Sequence, residues 1–151
     1  MSDAQRFADP DGRFDLVIPQ GWSAAPDEED GGAEVWREDG VGTLHLIAFE
    51  ASADEFPDPA EELYAFLEER SVELEEDEVE DVPLEDGSEL ALCEFTSEDE
   101  DDGESLFWMV GVATTPGAIC FATYFCPAGE EEKERDTVRL ALTTLRLLDP
   151  D

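Results

Sequence analysis

The sequence predicts an α+β fold, an antiparallel β-sheet of about six or seven strands flanked by helices. Three observations carry that expectation. Leu106-Phe107-Trp108-Met109-Val110-Gly111-Val112 and Ala118-Ile119-Cys120-Phe121-Ala122-Thr123-Tyr124-Phe125 are apolar at odd and even positions alike, so both strands should be covered on both faces and stand at the centre of the sheet. Thr115-Pro116-Gly117 between them is a turn signal. Two amphipathic stretches, one opening at Asp58-Pro59 and one following Pro127-Ala128-Gly129, supply helical cover. A chain of 151 residues, 41% hydrophobic, can build one real core, and no stretch reads as an interdomain linker; residues 1-151 are expected to form a single domain.

The remaining elements follow in order. Asp9-Pro10-Asp11-Gly12 is a strong turn, and Arg13 to Ile18 then alternates, with Phe14, Leu16 and Ile18 on one side of a half-buried strand. Ile18-Pro19-Gln20-Gly21-Trp22 reads as that strand entering a tight turn, with Gly21 free to take a positive φ and Trp22 plugging the sheet's end. After an acidic loop, Ala33 to Arg37 and Thr43 to Phe49 flank Glu38-Asp39-Gly40-Val41-Gly42 as a hairpin. A helix begins with Asp58 as N-cap, Pro59 at the first helical position and Glu61 three residues on; Leu63, Tyr64, Phe66 and Leu67 form its apolar stripe. Glu73 to Asp81 is read either as an exposed edge strand or as a connection, and Ser88 to Thr96 returns to strand character. The last helix runs to about Thr144, with Glu130, Glu131, Glu132 and Glu134 at its start and Arg139 and Arg146 toward its end, as the helix dipole favours. Val138, Ala141, Leu142 and Leu145 should face the sheet, and Leu147-Leu148 can add a short final strand.

The charge is the most unusual feature. Forty-three acidic residues against eight basic ones give a formal charge of -35, and seven of the eight basic residues are arginine. At ~0.1 M salt the repulsion among so many carboxylates amounts to at most roughly 6 kcal/mol, which nearly vanishes at ~1 M. That rivals a typical stability of ~5 to 15 kcal/mol. The acids fall in four separate clusters, Asp27 to Asp30, Glu73 to Asp81, Glu98 to Glu104 and Glu130 to Glu134, beside apolar segments rather than in one tail. This pattern points to an acidic surface suited to high salt, neutralised by weakly bound cations of the solvent. Nucleic-acid phosphates are not expected as partners.

Chemistry-bearing residues are sparse. His45, the single histidine, stands opposite in parity to Leu44 and Leu46, with no acid, nucleophile or fellow ligand beside it in sequence. Cys93, Cys120 and Cys126 match neither a zinc nor a CxxC spacing and read as small buried thiols of a reducing compartment. Glu98 to Gly103 places Met109 where an EF-hand needs its bidentate glutamate. No phosphate loop or nucleophile elbow occurs. The expectation is therefore no catalytic residue, no cofactor site and no metal site. No apolar run reaches membrane-spanning length and the N-terminus lacks a signal-peptide core, so a cytoplasmic location is expected.

Asp11-Gly12-Arg13-Phe14-Asp15-Leu16-Val17-Ile18-Pro19-Gln20-Gly21-Trp22, the order of elements and the closing Leu142-Thr143-Thr144-Leu145-Arg146 resemble the PsbP-like superfamily. That family groups the photosystem II extrinsic subunit P, a eukaryotic Ran-binding import factor and many small bacterial domains; this chain looks like a small bacterial member from a salt-adapted proteome. The resemblance implies an antiparallel sheet between helices, a PsbP-like α/β/α sandwich. It also implies a protein- or peptide-binding adaptor without catalysis of its own, as in chaperone-like adaptors of secretion effectors. It assigns no binding residue. The candidate partner contacts come from the residues themselves: Trp22, Trp36 and Trp108, large rings on a body otherwise wrapped in acid. Two other functions are weighed against this one. The first is an enzyme or small-molecule binder using carboxylates in a cleft between sheet and helix. The second is a nucleic-acid mimic, which would line up its acids on one face.

Overall fold

The computed structural model describes residues 5–8, 14–19, 21–26, 32–37, 40, 42–50, 58–69, 79–84, 89–98, 103, 105–115 and 118–147. Among the described residues, ten strands and two helices follow one another: β1 (Gln5–Ala8), β2 (Phe14–Ile18), β3 (Trp22–Pro26), β4 (Ala33–Arg37), β5 (Thr43–Glu50), α1 (Pro59–Glu69), β6 (Glu80–Pro83), β7 (Glu89–Glu98), β8 (Ser105–Thr115), β9 (Ala118–Pro127), α2 (Arg135–Thr143) and β10 (Arg146–Leu147). Seven strands form one antiparallel sheet in the order β3-β4-β5-β9-β8-β7-β6, and β1-β2-β10 form a second, smaller one. The large sheet is two meanders, β3-β4-β5 and β6-β7-β8-β9, zipped together where β5 pairs with β9 from Thr43↔Phe125 to Glu50↔Ala118.

The two-sided apolar strands β8 and β9 are indeed central. Alternation splits their side chains between two cores. Phe107, Met109, Ala113, Cys120, Ala122, Tyr124 and Cys126 point to one side, where they meet Phe14, Leu16 and Ile18 of β2 and Val138, Ala141 and Leu142 of α2. Val110, Val112 and Ile119 point to the other, where Leu63 and Leu67 of α1 close over Ala91 and Cys93. The large sheet is thus the middle layer, with α2 and the small sheet on one side and α1 on the other.

Local sequence explains the helices. Asp58 Oδ1 accepts the Ala60 N–H at 3.0 Å, and Pro59 sits where no donor is missed. The final helix is shorter than its charge pattern predicts: Glu131–Lys133 form a 3₁₀ turn, and α2 starts only at Arg135. At Pro19–Trp22 the chain reverses with a Trp22 N–H to Pro19 C=O bond of 3.0 Å, and Gly21 takes φ +87, the conformation read for it.

Three further expectations change. The strand holding Phe14, Leu16 and Ile18 belongs to the small sheet, not the large one, and Asp15 on its other side is buried too. Trp22 does not plug a sheet end; it opens β3, an edge strand that the weak Ser23-Ala24-Ala25-Pro26 sequence conceals. Gln5–Ala8, read only as a polar terminus, is a strand paired with β2. Of Glu73 to Asp81, only residues 79–81 lie within the described set; Glu80–Pro83 is the opposite edge strand of the large sheet. The acidic stretch Glu98 to Gly103, apart from its two end residues, and the turn at Pro116-Gly117 lie outside the described residues.

Candidate functional site

Of the eight basic residues, Arg13 and Arg70 are outside the described set, and each of the other six meets a carboxylate. Three clusters of these meetings fasten elements of the fold together. Glu134, its side chain fully buried, accepts the Tyr124 hydroxyl at 2.7 Å and the Gly42 N–H at 3.1 Å, and lies 3.3 Å from Arg37 Nε. It clasps the start of α2 to the β4–β5 hairpin. The fit depends on glycine: a Cβ at Gly42 would come within 2.2 Å of the Phe125 carbonyl oxygen, and one at Gly40 within 2.4 Å of Glu134 Oε2. Burial first, then the hydrogen bond to Glu134, push the Tyr124 phenol far above its ordinary range. Burial likewise raises the Cys126 thiol against the lowering effect of Tyr124. A thiol held protonated and sealed under a sheet is not a nucleophile; this cluster is a fastening.

The second clasp lies in the small sheet. Asp15 is directly opposite Arg146 and diagonal to Arg6. Arg146 donates from Nη2 and Nε at 2.8 and 2.9 Å, and Arg6 from Nη1 at 2.5 Å. Burial opposes ionisation of Asp15, but the two guanidiniums outweigh it and hold the carboxyl below its usual range. The third clasp fills an open depression of about 390 Å³ between α2 and strands β6 and β7, lined by Glu80, Leu92, Cys93, Glu94, Arg135 and Arg139. Arg135 and Arg139 both hold Glu94, at 3.0 and 2.7 Å to its Oε1, and Arg139 also reaches Glu80. This is a cleft of carboxylates between sheet and helix, and its acids are already paired with arginine.

The other face of the large sheet is built differently. Strand register aligns Ser23, Trp36, Thr43, Phe125, Trp108 and Phe95 as one row across six strands, from β3 to β7. Three of the rings touch: Phe95 and Trp108 stack at 6.2 Å with planes 11° apart, and Trp108 and Phe125 meet at 5.1 Å and 30°. Trp108 is anchored by its indole N–H, which donates to Ser97 Oγ at 2.8 Å. α1 packs on β7 and β8 over the half of this face that holds Ala91, Val110, Val112 and Ile119. It stops short of the Phe125 end, and Phe49, opposite Ile119 on the same face, is 47% exposed, so the cover expected on both faces of the sheet is incomplete on this one. Phe125 is 42% exposed, and among the described residues no element lies over it.

Charge sharpens the contrast. Neither α1 nor the described residues on this face of the strands include a lysine or arginine. Glu34 stands in the next row, opposite His45, which is itself opposite Thr123.

Of the three tryptophans singled out from the sequence, Trp36 and Trp108 therefore share one row of one face. Trp22 belongs to the other face, where it packs on the main core and, with Arg6, Phe7, Ile18, Pro19, Gly21, Ser23 and Ala24, lines a groove of about 400 Å³ between β1 and β3. Phe125 and Phe95 were missed because a ring in a two-sided apolar strand looks like core until its neighbours are known. Glu134 was missed although a signal existed: it falls on the helical stripe of Val138, Ala141, Leu142 and Leu145, a carboxylate on the apolar side. Among the described residues, no group of three or more His, Cys, Asp or Glu side chains converges on a metal position.

No protein-family model matches the sequence. No curated protein resembles it significantly. Solved structures do match. A crystal structure from Bacteroides thetaiotaomicron VPI-5482 superimposes with TM-score 0.68 at 19% identity, over 96% of this chain and 48% of that one, so the chain spans about half the length of that protein. The solution structure of cyanobacterial PsbP (CyanoP) from Synechocystis sp. PCC 6803 superimposes with TM-score 0.55 at 10% identity, over 97% and 94% of the two chains. The chain has a PsbP-like fold, an α+β sandwich.

Proposed function

We propose that this chain is a small, non-catalytic domain that docks a protein or peptide partner on the aromatic row Trp36, Phe125, Trp108 and Phe95, in a salt-rich cytoplasm. The observation that carries the reading is Phe125, a large ring 42% exposed and continuous with Trp108 and Phe95 on a chain of charge -35. Keeping apolar rings in contact with water on such a body costs stability, and a contact surface is the ordinary reason to keep them. No described helix is long and apolar enough to cross a membrane. The uniform negative charge disfavours nucleic acid.

The enzymatic alternative is weakened by the arginines that occupy the sheet–helix carboxylates. A nucleic-acid mimic would need its acids in a row where this face carries rings. The test is to pan a displayed peptide library against the full chain in 2 M KCl, with Phe125→Ala as the counter-screen. Ligands that converge on a shared pattern and lose at least ten-fold in affinity to the variant support docking. A panel of ligands indifferent to Phe125→Ala, or turnover of a generic ester or peptide substrate, overturns it.

A further inference from the structure

Resting on that reading, we infer that Glu134, buried on the opposite side of the large sheet, is the positioning residue of the docking row, so that whatever loosens the start of α2 weakens docking. Strand alternation makes the connection. Arg37 follows Trp36, Gly42 precedes Thr43 and Tyr124 precedes Phe125, so the three groups that Glu134 gathers are immediate chain neighbours of three members of the row. Successive residues of a strand point to opposite faces. The clasp therefore lies directly behind the rings, with one layer of backbone between them.

The two halves of the row differ in what holds them. Trp108 and Phe95 lie inside their ladders: Phe107↔Cys126 and Leu106↔Pro127 continue beyond Trp108↔Phe125, and Thr96↔Phe107, Ser97↔Leu106 and Glu98↔Ser105 continue beyond Phe95↔Trp108. Trp108 is fixed further by its bond to Ser97. The other half has less margin. Trp36↔Thr43 is the last pair of β4 with β5, and Thr43↔Phe125 is the last pair of β5 with β9. Beyond them β4 continues only toward the edge strand β3, as Trp22↔Arg37. Terminal pairs of a ladder open most easily.

Glu134 supplies the missing attachment at that end. The Gly40 N–H to Arg37 C=O bond of 2.9 Å closes the β4–β5 hairpin on itself, not onto the rest of the sheet. The Glu134 carboxylate takes the Gly42 N–H at 3.1 Å and lies 3.3 Å from Arg37, while the Tyr124 hydroxyl at 2.7 Å ties it to β9. The hairpin is held close enough that a Cβ at Gly42 would meet the Phe125 carbonyl oxygen at 2.2 Å. Phe107 meets the Tyr124 ring edge-on at 6.5 Å, which carries the support on to β8. A carboxylate suits this task because its two oxygens accept several donors at once, and hydrogen bonds fix direction as well as distance. An apolar side chain in its place would leave a buried hydroxyl and N–H without acceptors, and the hairpin end free to lift.

The experiment replaces the three tryptophans with 5-fluorotryptophan in the full chain and reads one fluorine line for each in 2 M KCl, where the unpaired acids are screened. In Glu134→Ala the Trp36 line is expected to broaden or split, while the Trp108 line stays single and sharp. Tyr124→Phe removes one partner of the carboxylate and should act in the same direction to a smaller degree; it carries the test if Glu134→Ala does not fold. Glu134→Gln keeps an acceptor for the hydroxyl and the Gly42 N–H and should return a single Trp36 line. Library ligands selected through Phe125 should bind Glu134→Ala about ten-fold more weakly than the parent, an ordinary size for coupling between sites, and Glu134→Gln within about two-fold. Asp15→Asn loosens the small sheet and should change neither reading. An unchanged Trp36 line in folded Glu134→Ala, or in Tyr124→Phe, overturns the inference. Equal broadening of Trp36 and Trp108, or the same broadening in Asp15→Asn, means general loosening and overturns it too. Undiminished affinity in a Glu134→Ala chain whose Trp36 line has broadened also overturns it. Should panning yield no ligand that depends on Phe125, the docking reading falls, while the fluorine lines still decide whether Glu134 sets the row.

Discussion

On the side of the large sheet covered by α2 and the small sheet, Arg6, Arg37, Arg135, Arg139 and Arg146 each end on a carboxylate; on the opposite side no described lysine or arginine appears, and a row of rings runs out to solvent. With only eight cations for forty-three acids, their placement is informative. Cations are gathered where a carboxylate must be buried or half-buried to join elements, between layers at Glu134 and Glu94 and between strands of the small sheet at Asp15. A buried carboxylate without a partner costs several kcal/mol, whereas an exposed one is served by solvent ions. The first face is thus fixed by short-range pairing, and the second is left with repulsion and uncovered rings.

The largest expected effect separates the two kinds of charge. Between ~0.1 M and ~2 M KCl the stability should rise by up to roughly 6 kcal/mol as unpaired acids are screened. The clasps should persist across this range because partly buried pairs are screened less. Thermal melts across a KCl series check it, and a flat melting temperature would break the contrast between compensated and uncompensated acids.

Next comes Glu134→Ala. It strands the Tyr124 hydroxyl, the Gly42 N–H and the Arg37 charge, so a loss of about 3 to 5 kcal/mol is expected. For a chain of this size that is on the order of 10 °C in melting temperature, read at high salt.

Asp15→Asn should cost less, about 1 to 3 kcal/mol, because Arg6 and Arg146 are partly exposed and can turn to water. Its pH signature is specific. The folded-state pKa of Asp15 is depressed, so its contribution is present above the unfolded pKa of about 3.9 and is lost as pH falls through the folded value. Acid titrations of stability should accordingly be flatter below about pH 4 in Asp15→Asn than in the parent.

The smallest change in stability is expected from Phe125→Ala, within about 1 kcal/mol, since much of the ring is already wet. Its consequence should appear in binding and in the emission of its neighbour Trp108. A large drop in melting temperature would mean that the ring supports the sheet instead of serving a partner.

How much of this was readable beforehand follows the range of the interactions. The Asp58-Pro59 cap and the Leu63/Leu67 stripe are contacts within a few residues, and they were visible as pattern. So was the paired core of β8 and β9, because apolar side chains on both faces admit few other placements. The small sheet was legible only in pieces: its middle strand and a short final strand were read, but not the four-residue β1, nor that β10 pairs with β2 across the length of the chain. Nor was the burial of Glu134, whose partners lie 10 and 92 residues away.

The chain by itself determined a layered α+β body with two central strands, one well-capped helix and a charge of -35, because periodicity, turn chemistry and composition are local or additive. Which rings would be covered was decided only by tertiary structure. Strand register set Trp36, Phe125, Trp108 and Phe95 in one row and Trp22 on the other face. The docking of α1 over Val110 and Val112 then left the Phe125 end of that row bare. Register and layer packing join residues far apart in sequence, and a shift of one residue would have turned every one of those rings to the opposite side.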